Sequence, residues 1–346
     1  MPVSPRSALV LQGGGALGAY ELGAARRLYQ DTDFAPAVIA GVSIGAITAV
    51  LLARPARDLT PLEALERFWE EVAVSGWLFP PVLRPYASMF GNPHFFMPRL
   101  DVIDLPGWTN LYDTRPLRRT LESLVDTEAL ADPATEPRLL VSATDIEAGQ
   151  IAYFDSAEGG LSLSHILASG SLPPSFPMTV IDGRAYWDGG LFDNTPLGPV
   201  LDKLGGQEPG ERRIYVVNLF PNRAPVPRTM AEVAERSLNL QFANRTREDL
   251  KLMARFDEVA RLVEALQALP EDSPIRQHAA FKKILGRAYV RAPLIVDITR
   301  PEQAGAYDGM DFSPATIGAR ADEGYAQTDI ALERMGLARG AMGRAA

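Results

Sequence analysis

Ser43 stands at the centre of Gly41-Val42-Ser43-Ile44-Gly45, a G-x-S-x-G pattern between a short apolar run and a stretch with helical periodicity. A serine on so sharp a strand-to-helix turn must take a strained backbone conformation, and the flanking glycines keep neighbouring side chains out of its way. The turn exposes the hydroxyl and sets it at a helix N-terminus, where partial positive charge favours negative charge on a bound group. The chemistry this suits is nucleophilic attack on an acyl carbonyl; the bland alternative is a close-packed structural turn. Upstream, Gly13-Gly14-Gly15-Ala16-Leu17-Gly18 fits two readings. One is a G-x-G-x-x-G dinucleotide loop, which expects an acidic residue at the end of the next strand. The other is a loop whose backbone N–H groups form an oxyanion hole for a serine elsewhere. Asp31 and Asp33 precede the second strand, and that strand ends in the serine turn. The two glycine motifs therefore belong together more naturally as hole and nucleophile.

A serine nucleophile needs a base, and the chain has only three histidines, His94, His165 and His278. His278 lies in a charged helical segment, His94 in an aromatic stretch, and His165 shortly before Ala168-Ser169-Gly170-Ser171-Leu172-Pro173; none has the surroundings of an oriented imidazole. Asp188 in Trp187-Asp188-Gly189-Gly190 is the better candidate. A carboxylate that closes a core strand and is followed by two glycines can approach Ser43 closely. Burial would raise its basicity toward what proton abstraction requires. Asp145, Asp155 and Asp193 are weaker rivals, and Asp182-Gly183 reads as a hairpin tip.

These residues need rigid elements to hold them. Ser7 to Leu11 reads as a buried strand stopping at the glycines, and Leu17, Tyr20, Ala24 and Leu28 follow at helical spacing. A second strand-turn-helix unit runs from Ala37 through Ile44, Ile47 and Leu51. Thr60-Pro61-Leu62-Glu63 is a capping box opening a helix through Leu65, Trp69 and Val72. Arg138 to Thr144 reads as a core strand with Gln150 to Phe154 as its hairpin partner, and Met178–Ile181 pairs with Arg184–Trp187 across Asp182-Gly183. Arg213 to Leu219 and Pro293 to Thr299 are further strands, the first preceded by a polar linker, Lys203 to Arg212. Past Pro227 a charged, glycine-free segment to Leu269 predicts one long helix or a broken pair, and Ser313-Pro314 caps a final helix toward Met335.

Of 346 residues, 47% are hydrophobic and 22% charged, so a sizeable core is affordable. With 34 basic and 43 acidic residues the net charge is −9, which argues against a nucleic-acid partner and against purely electrostatic docking on anionic lipid. The absence of cysteine excludes disulfides and thiolate chemistry, and so few histidines make a metal site improbable. The N-terminal apolar run is broken by Gln12 and the glycines, making a poor signal peptide. Pro36 to Ala53, about 18 residues without a charge, reads better as buried strand, turn and helix than as a membrane span. A cytoplasmic location follows as the expectation.

Glycine loop, G-x-S-x-G serine and D-G-G aspartate, in this order, resemble the patatin-like phospholipase family. Ala168 to Pro173 and Asn194-Thr195-Pro196 add to the likeness, which covers about residues 7 to 200, with a fainter likeness to the C-terminal extension of one bacterial branch. The resemblance implies a Ser43–Asp188 dyad without histidine and an oxyanion hole at Gly13, Gly14 and Gly15. Gly18, Gly41, Gly45, Gly189 and Gly190 would shape the motifs, with no metal or organic cofactor. Many members carry a basic residue in the glycine loop where this chain has Leu17, which leaves the preference for phosphate-bearing lipids open.

The expected fold is α/β: a three-layer α/β/α sandwich with a mostly parallel central sheet and a mainly helical C-terminal extension. Residues 5–205 would form the acyl hydrolase core and 206–346 the extension, packed on the same domain. The expected substrate is a lipid ester. The alternatives are a carboxylesterase or polyester-type hydrolase acting on non-phospholipid esters, a Rossmann-type nucleotide binder, and a catalytically silent lipid-binding module. The aromatic stretch Trp77 to Phe96 reads either as an apolar lid giving peripheral membrane contact or as a proline-rich loop packed on its own domain. Oligomeric state is not readable.

Overall fold

The apolar runs become strands of one sheet. The computed structural model describes residues 6–30, 34–76, 87–101, 107–204, 212–221, 223–285, 292–301 and 308–337. The first half of the chain supplies β1 (Arg6–Leu11), α1 (Ala19–Leu28), β2 (Pro36–Gly41), α2 (Ile44–Ala53), α3 (Pro61–Glu71), β3 (Met97–Pro98), β4 (Tyr112–Asp113), α4 (Arg115–Leu124), α5 (Thr127–Ala131), β5 (Arg138–Asp145), β6 (Gln150–Asp155) and α6 (Leu163–Ser169). The second half supplies β7 (Thr179–Ile181), β8 (Arg184–Asp188), α7 (Leu197–Leu204), β9 (Arg212–Asn218), α8 (Met230–Gln267), α9 (Pro274–Gln277), α10 (Ala279–Leu285), β10 (Leu294–Thr299) and α11 (Pro314–Arg334).

The sheet runs β10-β9-β1-β2-β5-β8-β7, with β6 also paired to β5. From β10 to β5 every pairing is parallel; β6, β8 and β7 are antiparallel. Side chains alternate across it as the pleat requires. Leu9, Leu11, Ile39, Val141 and Val217 share one apolar cluster with α1, α2, α3 and α11. Ala8, Val10, Val38, Ala40 and Val216 share the other with Leu197, Val200 and Leu204 of α7. This is the expected three-layer sandwich. All ten residues of α2 are buried, which explains its uncharged sequence as that of a core helix. Among the described residues no helix is long and apolar enough to cross a membrane.

The regions expected as core and extension share this sheet, because β9 pairs with β1 and β10 with β9. The last helix returns to the first. Gly23 of α1 sits against the Ala321 carbonyl, and Gly324 of α11 against the Tyr20 carbonyl, with no room for a β-carbon at either. Two backbones can approach this closely only where side chains are absent. The charged segment past Pro227 is one helix of 38 residues, not a broken pair. The capping box at Thr60 and the hairpin tip at Asp182-Gly183 (φ 49° and 79°) form where the turn chemistry placed them, and Ser313 takes the N-cap position of α11 without a side-chain cap hydrogen bond, Pro314 following it.

Candidate active site

A fork in the sheet brings Ser43 and Asp188 together. Residues Arg138–Val141 of β5 pair with β2, and Ala143–Asp145 pair with β8. The hairpin partner β6 spans Leu140–Asp145 and overlaps both, so β2 and β8 must share the opposite edge of β5. β2 runs parallel to β5 and ends at Gly41 opposite Val141; β8 runs antiparallel and ends at Asp188 opposite Ala143. The carboxyl ends of the two strands therefore meet head-on, one carrying the serine turn and the other the aspartate.

At that turn Ser43 holds φ 55° and ψ −123°, one of two non-glycine residues with positive φ among those described. This backbone region costs about 1–3 kcal/mol and persists only where its surroundings enforce it. They do so here: a β-carbon at Gly41 would run into the Gly45 backbone, and the Ser43 N–H donates to Ser169 Oγ at 2.9 Å. The half-buried Ser43 side chain lines the same cavity as Asp188, close enough to act on its carboxyl. Asp188 is buried, its carboxylate accepts the Gly190 N–H at 2.7 Å, and its backbone is pinned by Ser171 O (3.0 Å) and Thr144 Oγ1 (2.8 Å). Burial pushes its carboxyl up to about 6, against the lowering effect of the neighbouring Ser43 and the Gly190 N–H.

The glycine loop packs directly on the serine, since a β-carbon at Gly13 would lie 2.9 Å from Ser43 Cβ. Asn194 grips this glycine on both sides: Oδ1 accepts the Gly13 N–H at 3.2 Å and Nδ2 donates to the Gly13 carbonyl at 3.0 Å. The Gly13 N–H is thus already engaged, while Gly14 and Gly15, both partly exposed, line the cavity. Of the other expected residues, Gly18 packs against Ile44, Gly45 against Leu11, and Gly189 against Ser142, each too tightly for a side chain.

The rival groups are otherwise employed. Asp145 accepts from Ala148 and pairs with Arg184; Asp155 pairs with Arg138; Asp193 accepts from Thr195 N and Tyr153. His165 caps α6 through its Nδ1 and rests on Phe154, with burial lowering its pKa; His278 is exposed and caps a turn; His94 lies 3.9 Å from Glu71. None of the three lines the cavity that holds Ser43. Asp31 and Asp33 lie outside the described residues, as do Trp77, Phe79 and Tyr86 of the aromatic stretch.

That cavity has a volume of about 470 Å³, and apolar side chains dominate its walls. Phe95 and Phe96 are buried there against Phe176 and Phe312, so this end of the aromatic stretch packs on its own domain, while Phe90 is exposed. Arg300 is the only cation on the wall among the described residues, 3.9 Å from Glu323. No group of described residues has the composition to hold a metal ion.

Sequence reasoning missed several contributors. Gln12 bridges the sheet end, accepting from Leu219 N (2.7 Å) and donating to Thr195 Oγ1 (3.0 Å). Phe176, Phe220, Phe242 and Phe312 reach the cavity from four separate segments. In the sequence Asn194 and Ser169 stand out only as parts of motifs. A polar residue closing an apolar strand, as Gln12 does, was the available signal.

A family model described as patatin-like phospholipase matches residues 9–201, and a second, described as patatin phospholipase, matches residues 240–340. No curated protein matches significantly. Among solved structures, VipD from Legionella pneumophila is similar at 15% identity over 96% of this chain and 67% of its own, with a TM-score of 0.43. The ExoU–SpcU complex of the Pseudomonas aeruginosa type III secretion system is similar at 18% identity, over 72% of this chain and 52% of that one, with a TM-score of 0.33. The type III effector ExoU matches at 15% identity over 97% of this chain and 54% of its own, with a TM-score of 0.36.

Proposed function

The chain belongs to the patatin-like phospholipase family, and from that premise we propose that it hydrolyses lipid esters with Ser43 as nucleophile and Asp188 as its base. The observation that carries this reading is the strained Ser43 and a buried carboxylate, Asp188, brought together on the wall of one apolar cavity. Ser43 Oγ attacks the acyl carbonyl while its proton passes to Asp188. The oxyanion of the tetrahedral intermediate is received by the Gly14 and Gly15 N–H groups. Collapse expels the alcohol, which takes the proton back from Asp188, and leaves an acyl-serine. Asp188 then takes a proton from a water that attacks the acyl-enzyme, and returns it to Ser43 Oγ as that oxygen is expelled, releasing the fatty acid and restoring both groups.

Lipid supply is part of the reading. Leu172 and Leu191 line the cavity yet are 36% and 45% exposed, so apolar side chains stand at its mouth beside the exposed Phe192. Such a rim suits peripheral contact with a lipid surface through apolar burial. A second reading, hydrolysis of neutral rather than phosphate-bearing esters, is favoured by Leu17 in the loop and by Arg300, beside Glu323, being the one cation on the described wall. Comparing phosphatidylcholine with triacylglycerol and simple alkyl esters separates the two.

The decisive test is labelling with an alkyl fluorophosphonate, the adduct located by peptide mass spectrometry, in wild type and Asp188→Ala. A stoichiometric adduct on Ser43 that is much slower in the variant supports the dyad. No adduct on Ser43 in folded protein sinks it and returns the glycine loop to the nucleotide-binding reading. An adduct indifferent to Asp188 keeps the nucleophile and discards the base.

A further inference from the structure

The glycine loop is gripped at both ends, and the second grip comes from the far end of the chain. At its entry Asn194 clamps Gly13. At its exit Arg320 of α11 donates from Nη1 to the Ala16 carbonyl at 2.9 Å and to the Asp311 carbonyl at 3.0 Å. Arg320 is only 5% exposed and interrupts the apolar stripe of its helix, flanked by buried Ile317, Ala321 and Gly324. A buried cation in such a stripe is expensive unless its donors are satisfied. The turn just before Asp311 also touches the loop. Gly15 holds φ +59°, and a β-carbon there would come within 2.5 Å of the Gly309 carbonyl oxygen. Gly14 and Gly15 thus lie between Asn194 on one side and Arg320 with the 308–311 turn on the other.

We infer that Arg320 is a positioning residue for ester hydrolysis: by tying the Ala16 and Asp311 carbonyls together, it fixes the Gly14 and Gly15 N–H groups where the oxyanion forms. This rests on the Ser43–Asp188 reading above. The physical need is plain. Oxyanion donors work because they are aimed before the charge develops, and a run of glycines has the least intrinsic stiffness of any loop. An arginine suits the task because its planar fork carries several donors in fixed directions and keeps its charge when buried. The grip on α1 at Gly23 and Gly324 sets the height of α11, and hence of Arg320, relative to the loop.

The experiment compares wild type with Arg320→Met and Arg320→Lys, in the full chain. Steady-state kinetics on an alkyl ester are set beside the binding of two probes of equal chain length. One is an alkyl trifluoromethyl ketone: Ser43 Oγ adds to its carbonyl carbon, the serine proton goes to Asp188, and the resulting hemiketal oxyanion occupies the hole. The other is an unreactive alkyl ether that fills only the cavity. In Arg320→Met, kcat falls about 10- to 100-fold with KM within about twofold, and ketone affinity falls in parallel while ether affinity holds. Arg320→Lys recovers part of the loss, because an ammonium keeps the charge but not the rigid fork. Unchanged kcat in folded Arg320→Met overturns the inference, as does an equal loss of ether and ketone affinity, which marks a general structural role. Should Arg320→Met fail to fold, Arg320→Lys decides: lowered kcat and ketone affinity with ether binding intact supports the role, and wild-type values remove it. A wild type inert to ester and ketone alike sinks the dyad reading, and this inference with it. A reactive wild type matched by its variants sinks this inference alone.

Discussion

At the scale of the residue, the chemistry turns on how a carboxylate becomes a base near neutral pH. Asp188 gains basicity because it is buried, with Ser43 and the Gly190 N–H offsetting part of the rise. As the proposed base it must be ionised, so kcat/KM should rise with pH through an apparent pKa of about 6 and level off above. A pH–rate profile measured with a neutral ester checks this; a limb near the ordinary carboxylate range would mean the site is wetter than described. The same burial has a cost in stability. The folded carboxyl binds its proton more tightly than the unfolded one, so its protonated form stabilises the fold below the ordinary carboxylate range. That contribution is lost as pH rises through about 6, and above it the ionised group costs about 3 kcal/mol. Asp188→Asn keeps an acceptor for the Gly190 N–H and removes the charge. It should be more stable than wild type at pH 8 by up to about 3 kcal/mol, with the advantage shrinking toward pH 4, while kcat falls about 10³-fold or more. Denaturant unfolding of both proteins at the two pH values checks it, and a difference independent of pH would contradict the cause given.

At the scale of the element, β5 is the template. Its one edge receives β2 in parallel and β8 in antiparallel sense, which is why two residues far apart in the chain end up on one cavity wall. The α1–α11 crossing then ties the last helix to the loop that follows β1. Two glycines on α11 separate packing from helix propensity. At Gly324 a β-carbon would strike the Tyr20 carbonyl, whereas at Gly318 it would meet nothing within 4 Å. Gly324→Ala should therefore destabilise by about 1–3 kcal/mol or more through overpacking. Gly318→Ala, in the same helix, should stabilise by about 0.5–1 kcal/mol through propensity alone. Urea midpoints decide; equal effects at the two positions would show that the crossing is looser than described.

At the scale of the whole molecule, the cavity is assembled from segments spread along the entire described chain, from Gly13 to Phe312. Its walls are the large aromatic and aliphatic side chains of the upper core, so filling it and folding the protein draw on the same apolar surface. Leu117 on α4 is buried at the wall and points to a simple probe. Leu117→Trp should reduce kcat/KM for long acyl chains about 10-fold or more relative to short ones, since added bulk shortens the space without touching Ser43 or Asp188. A chain-length series of alkyl esters measures this. A uniform loss at every length would place the acyl chain elsewhere.

The sequence alone determined the local chemistry. The serine turn, the glycine loop, the D-G-G strand end, the capping box at Thr60 and the hairpin tip at Asp182-Gly183 are each written in adjacent residues, because strained turns and caps admit few side chains. It also determined the alternating apolar strands and so the class of fold. Tertiary structure alone decided what depends on distant pairing. Only the shared edge of β5 brings Ser43 to Asp188 rather than to a histidine. Only packing shows Asn194 occupying the Gly13 N–H, Arg320 reaching Ala16, and Phe95 and Phe96 turning inward beside Phe176 and Phe312. The physical reason is that turn chemistry is local, whereas burial, and with it the basicity of Asp188, belongs to neighbours the chain supplies from far away.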